Sequence, residues 1–182
     1  ANGKKIETTV KVGIIGFTPP TILSWDKRWL DGKVYATGVV EAAQKYIPQM
    51  KKEGAELVVA LSHGGMDPSP STPTQEDANY HLAQVEGIDV MLMGHAHQLF
   101  PNAQSTVTGF NQPGVDKVRG TVHGVPAVMA NQWGKHLGVV ALQLKHDGKR
   151  WVVQKDKTTV EARAIQTGAA TFVAPDPAVM AL

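Results

Sequence analysis

Three histidines stand where chemistry could be done. His63 follows the apolar run LVVALS in the sequence LSHGG, and His95 and His97 follow the run VMLM in MGHAH. Imidazole ligates zinc, iron, manganese, cobalt and nickel with differing preference. Two His-bearing loops, each leaving a buried strand, therefore point to a metal site. Gly64, Gly65 and Gly94 lie beside these residues and let the backbone turn sharply. A lone His after a strand is ordinarily a loop residue, so the weight rests on the two motifs together. His81 reads as mid-helix, His123 as a hairpin tip and His146 as an exposed residue before a turn. His136, in WGKHLG, precedes a strand and is open to a structural or a crevice-lining reading. Trp25, Trp29, Trp133 and Trp151 read as packing anchors. Asp67 falls in a Pro-rich loop and Asp89 at the entry end of its strand, so neither carboxylate is well placed beside the three His. The three look like part of a site whose other ligands lie elsewhere. No Gly-rich phosphate loop and no serine nucleophile elbow is present.

The elements that must position these residues follow from the spacing of apolar side chains. Residues 11–17 (KVGIIGF), 56–62 (ELVVALS) and 88–93 (IDVMLM) are short apolar runs that read as buried strands. Between the first two, residues 21–36 are irregular. Then Val39, Val40, Ala43, Ile47 and Met50 fall at helical spacing, with Pro48 predicting a kink or a division and Gly54 a stop. Between the second and third strands, Thr72-Pro73-Thr74-Gln75 reads as a capped helix start, predicting a helix to about Val85, ended by Gly87. Strands alternating with helices imply parallel βαβ units, α/β in class. In such a sheet the carboxyl ends of neighbouring strands share one edge, the edge where ligand crevices form. His63, His95 and His97 are thereby predicted on one rim. Beyond residue 100 the pattern changes to loop and hairpins: one around His123-Gly124, and one joining 138–144 to 150–153 through Asp147-Gly148. The last fifteen residues read as a loosely held tail.

Composition bounds the rest. The 182 residues are 42% hydrophobic and 19% charged, enough for one packed domain and ordinary for a globular chain. A net charge of +2 gives no field for a nucleic-acid polymer or an acidic membrane. With no cysteine, disulfides, thiol nucleophiles and zinc ribbons are excluded. No apolar run is long enough for a transmembrane helix. The chain opens ANGKKIETTV, without an initiator Met or an apolar leader, and closes APDPAVMAL like the start of a linker. Both ends read as those of an excised piece.

LSHGG followed by MGHAH resembles the second half of the catalytic domain of the 5′-nucleotidase family of calcineurin-like metallophosphoesterases. The stretches KVGIIGFTPPTILSWDKRWLDGKV, AAQKYIPQMKKEGAELVVALSHGG, VEGIDVMLMGHAHQLFP and GTVHGVPAVMANQWGKHLGVVALQL are similar to its bacterial periplasmic branch, which acts on 2′,3′-cyclic nucleotides and 3′-nucleotides. The resemblance implies part of a four-layer α/β/β/α sandwich. Residues 1–165 would be the C-terminal portion of its catalytic domain, and 166–182 a tail leading toward a nucleotide-binding domain. It implies two divalent ions, zinc, manganese, cobalt or similar, with His63 and His95 on one and His97 on the other. The family's remaining ligands come from Asp-x-His, Gly-Asp and Asn-His motifs, and none of these occurs here. The family's His/Asp pair that acts at the phosphate is therefore outside this chain, which carries no catalytic residue of its own on this reading and is expected to be inactive or weakly active alone. The implied partner is a nucleotide, the implied compartment the periplasm, and the exposed sheet of an incomplete sandwich implies self-association. Three alternatives stand beside this: a 5′-nucleotidase or UDP-sugar hydrolase of the same family, a self-sufficient mononuclear His₃ zinc hydrolase, and a non-enzymatic binding module.

Overall fold

Short runs of Val, Ile, Leu and Met build a largely parallel sheet at the centre of the molecule. A computed structural model describes residues 7–168 and 171–181 of the chain. The opening ANGKKI and Leu182, on which part of the excised-piece reading rests, lie outside the described residues. β1 (Val12–Phe17) leads through two single turns, α1 (Ile22–Trp25) and α2 (Lys27–Leu30), into α3 (Val39–Lys52). β2 (Leu57–Ser62), α4 (Asn79–Leu82) and β3 (Val90–Met93) follow. β4 (Leu99–Phe100), β5 (Val115–Asp116), β6 (Thr121–Val122) and β7 (Val125–Ala130) complete the main sheet. Its order is β1-β2-β3-β7-β6-β5, with β4 also on β7. β1, β2, β3 and β7 run parallel, and β4, β5 and β6 are antiparallel additions.

One face of this sheet is covered by helix. Val39, Ala43 and Ile47 of α3 recur every four residues and are buried with Val58, Ala60, Met91 and, from α4, Leu82. Gly13 lies at this contact, where a Cβ would stand 2.5 Å from the Met50 methyl and 3.1 Å from the Ala55 methyl. Pro48 lies inside α3 without dividing it. Gly54, at φ +96°, ends the helix as predicted. Beyond the main sheet, β8 (His136–Ala141), β9 (Leu144–His146), β10 (Trp151–Val153) and β11 (Thr159–Ala164) are the next strands in the chain. β8 and β11 form an antiparallel ribbon over β7, with Gly138 tight against Val128. On the sheet face away from α3, Leu57 and Val90 are buried, while Ile14, Leu61 and Leu92 are exposed.

Three expectations are corrected. The helix from Pro73 to Val85 is only the single turn α4, because Gln75, Glu76 and Asp77 are held by tertiary hydrogen bonds instead of capping a helix. The second hairpin is β9–β10 alone. Asp147 turns it by accepting the Lys149 and Arg150 N–H groups, whereas β8 takes the distant β11 as partner. Trp25 and Trp29 are not buried anchors, both being exposed on the α1 and α2 turns that replace an irregular stretch. In the tail, β12 (Gln166–Gly168) pairs with β13 (Thr171–Phe172), and α5 (Pro177–Met180) is capped by Asp176.

Candidate metal centre

The carboxyl ends of β1, β2 and β3 are in register at Phe17, Ser62 and Met93. His63 leaves β2 at that line, its N–H donating to the Phe17 carbonyl at 2.9 Å. His95 leaves β3 one residue later through Gly94. His95 and His97 both hold left-handed backbone, at φ 63° and 53°, with Ala96 between them. Non-glycine residues in that region cost of order 1 kcal/mol or more and persist only where the surroundings enforce them. The enforcement here is a lock between the two His loops. A Cβ on Gly65 would stand 2.7 Å from the Ala96 methyl, so only glycine admits the approach. The Gly65 N–H donates to Asp77 at 2.6 Å, and buried Asn79 donates to the Gly64 carbonyl while its own N–H reaches the Gly65 carbonyl.

These constraints bring His63 and His95 together, with ring centroids 5.1 Å apart and planes tilted by 50°. Two imidazoles bound to one tetrahedral zinc at the usual Zn–N length have centroids about 5 Å apart. The spacing of the two rings matches that of two imidazoles on a single ion. The His95 ring is held on two further sides. Trp25 stacks on it at 4.9 Å, and its Nε2–H donates to Glu76 Oε1 at 2.5 Å. His97 is exposed and stands outside this ring pair. An open depression of about 520 Å³ runs along the same edge, lined by Gly16, Thr18, Leu61, His63, Leu92 and Gly94. Among the described residues no group of three His, Cys, Asp or Glu is arranged to hold a metal ion. The edge thus offers two imidazole rings and no free carboxylate beside them among the described residues, less than a divalent ion ordinarily takes.

The other candidates fall elsewhere. His136 begins β8, and its buried Nδ1 has no hydrogen-bond partner. It lines a separate cavity of about 380 Å³ with Trp133 and Phe172. His81 meets the Ser69 carbonyl, His123 meets Gln84, and His146 accepts from the Gly148 N–H. Asp89 pairs with Lys51 and accepts the Val58 N–H at the far end of the sheet. The Ser69 N–H, donating to Asp67, holds that carboxyl below its usual range and commits it to its own loop. The acids that contact the histidine-bearing loops are instead Glu76, on His95, and Asp77, on the Gly65 N–H. Sequence reasoning passed over both as the first turn of a helix. The signal available was the polar pair itself, sitting between the two His motifs.

No family model matches the chain. It is 43% identical over 162 residues to the 2′,3′-cyclic-nucleotide 2′-phosphodiesterase/3′-nucleotidase of Salmonella typhimurium, covering 89% of this chain and 24% of that protein. It is also 43% identical over 159 residues to the trifunctional nucleotide phosphoesterase protein YfkN of Bacillus subtilis, covering 87% of this chain and 11% of that protein. The crystal structure of the calcineurin-like phosphoesterase YfkN superposes with a TM-score of 0.85 at 36% identity, covering 97% of this chain and 50% of that one. The chain spans a quarter or less of the length of these two curated relatives.

Proposed function

We propose that this chain, a relative of bacterial nucleotide phosphoesterases with a calcineurin-like phosphoesterase fold, supplies one side of a dinuclear metal centre that hydrolyses 2′,3′-cyclic nucleotides and 3′-nucleotides. The observation that carries the reading is the pairing of His63 with His95 at the carboxyl edge of adjacent parallel strands. On this reading His63 and His95 are two ligands of one ion, and His97 turns toward a second. Two divalent ions in such a site polarise phosphoryl oxygens and acidify a bound water.

The chain's own residues do the positioning. β2 and β3 fix the two loops. The Gly65–Ala96 contact sets their separation, and the left-handed backbone at residues 95 and 97 directs two side chains from one tight turn. Neutral imidazoles bring no charge, so on this reading neutralising two divalent ions falls to the carboxylates of the Asp-x-His and Gly-Asp motifs that the family resemblance implies. The nucleotide would lie over the open depression beside His63. Among the described residues no helix is long and apolar enough to cross a membrane. The periplasm of a bacterium is the compartment this reading assigns, from the branch that the chain resembles.

The test is hydrolysis of 2′,3′-cyclic AMP by the 182-residue chain, run beside the Salmonella relative with manganese, cobalt or zinc supplied. Turnover far below that of the relative is expected. Turnover matching it would show that these residues are sufficient and would overturn the proposal.

A further inference from the structure

The turn that joins β7 to β8 concentrates left-handed backbone. Asn131, Trp133 and Gly134 hold φ 64°, 56° and 65°. Outside glycine such backbone is uncommon and persists only where the surroundings enforce it. Two enforcing bonds lie at the start of the turn. The Asn131 N–H donates to the Gln98 carbonyl at 3.0 Å, and the Asn131 side chain accepts the Gln132 N–H at 2.9 Å. The turn leaves Trp133 81% exposed. Backbone bonds bring a second aromatic to the same place. The Ile165 N–H donates to the Lys135 carbonyl at 2.9 Å, and the Val173 N–H donates to the Ile165 carbonyl at 2.8 Å. Phe172, 62% exposed, thereby joins Trp133, Lys135 and Ile165 around the cavity of about 380 Å³. Lys135 Nζ lies 4.8 Å from the Trp133 ring centre, and it pairs with no carboxylate among the described residues. A concave site of this size, with aromatic walls and a single charge, is built as small-molecule sites are. Aromatic walls take up a planar ring by stacking, with little regard to its identity. The ammonium beside them favours a ring that carries negative charge.

We propose that this cavity binds a planar aromatic ring carrying an anionic group, with Trp133 and Phe172 as its aromatic walls and Lys135 as its counter-charge. No metal at the His63–His95 edge is needed for this binding, so it is tested in the isotope-labelled 182-residue chain held in EDTA. The readout is the tryptophan indole N–H signals, that of Trp133 being identified by its absence in Trp133→Leu. The probes are adenosine 3′-monophosphate and indole acetate, with adenosine and inorganic phosphate as controls. At least one of the two ring-bearing anions should shift the Trp133 signal saturably. Adenosine should bind more weakly, and inorganic phosphate should leave the signal in place. A shift with the monophosphate alone assigns the ring to a nucleotide, one with indole acetate alone to an aromatic acid, and one with both to aromatic anions at large. Phe172→Ala should lower the affinity roughly ten- to hundred-fold. Lys135→Gln should lower it to that of adenosine. Both substitutions are at exposed positions, and unmoved Trp25, Trp29 and Trp151 signals in each variant separate lost binding from lost fold. A Trp133 signal that neither ring-bearing anion moves would overturn the proposal. So would an equal shift with inorganic phosphate, or affinity undiminished in both variants.

Discussion

At the scale of single residues, the histidines and the acid beside them differ in how far the sequence discloses them. His63 and His95 were legible because each follows an apolar run that could only be a buried strand, and adjacent parallel strands bring their ends together. Glu76 was not legible, because its partner is reached through the fold and not through local spacing. The same limit applies to Trp25, which a sequence offers as a core anchor and the structure places against His95. His123 behaves differently from the site histidines. It sits in the β6–β7 turn against the Tyr80 ring, and burial, with a smaller contribution from nearby His81, holds its imidazole below the usual 6.5. Above pH 6.5 it is neutral in both the folded and unfolded chain. As pH falls from there, the unfolded chain takes up the proton first, so stability must drop until the folded form also protonates. Urea midpoints measured across that window should fall with pH. The slope should flatten in His123→Asn, which tolerates the left-handed backbone at this position. An unchanged slope in that variant would contradict the assignment.

At the scale of elements, the strands β1, β2 and β3 emerge from the sequence within a residue or two of their observed ends, since a run of buried β-branched and aliphatic residues has few other uses. Pairing was harder to read than existence. Asp147-Gly148 marks its hairpin through local hydrogen bonds, but the choice of β11 as partner for β8 depends on packing over β7 and leaves no local trace. α4 makes the same point in reverse, because a good capping sequence lost to tertiary bonds that clamp the loop carrying His63. That clamp is testable. Gly65→Ala would force a methyl against Ala96 and the Asp77 carboxylate, and it should destabilise the chain by roughly 1–3 kcal/mol in urea unfolding. Asn79→Ala removes the donor to the Gly64 carbonyl inside the core, and should cost about 1–3 kcal/mol by the same measurement. Losses near zero in both would mean that the loop is held by something else.

At the scale of the whole molecule, one side of the main sheet is packed under helix. The other presents Val12, Ile14, Leu61 and Leu92 as exposed apolar side chains on β1 and on the strands that lead to His63 and His95. In a four-layer sandwich a second sheet would cover it. In the chain by itself the available cover is a second copy, and apolar patches of this kind drive association. Light scattering should show concentration-dependent association that Ile14→Lys combined with Leu61→Lys abolishes; a clean monomer at high concentration would contradict this. On the proposed metal-centre reading, the two imidazoles of His63 and His95 are two donors to one ion, fewer than such an ion ordinarily takes. Calorimetric titration of Zn²⁺ into the metal-free chain tests that claim most directly. One weakly held ion per chain is predicted, lost when His63 and His95 are both replaced by alanine and little changed by His97→Ala. Binding that is undiminished in the double variant would contradict the account.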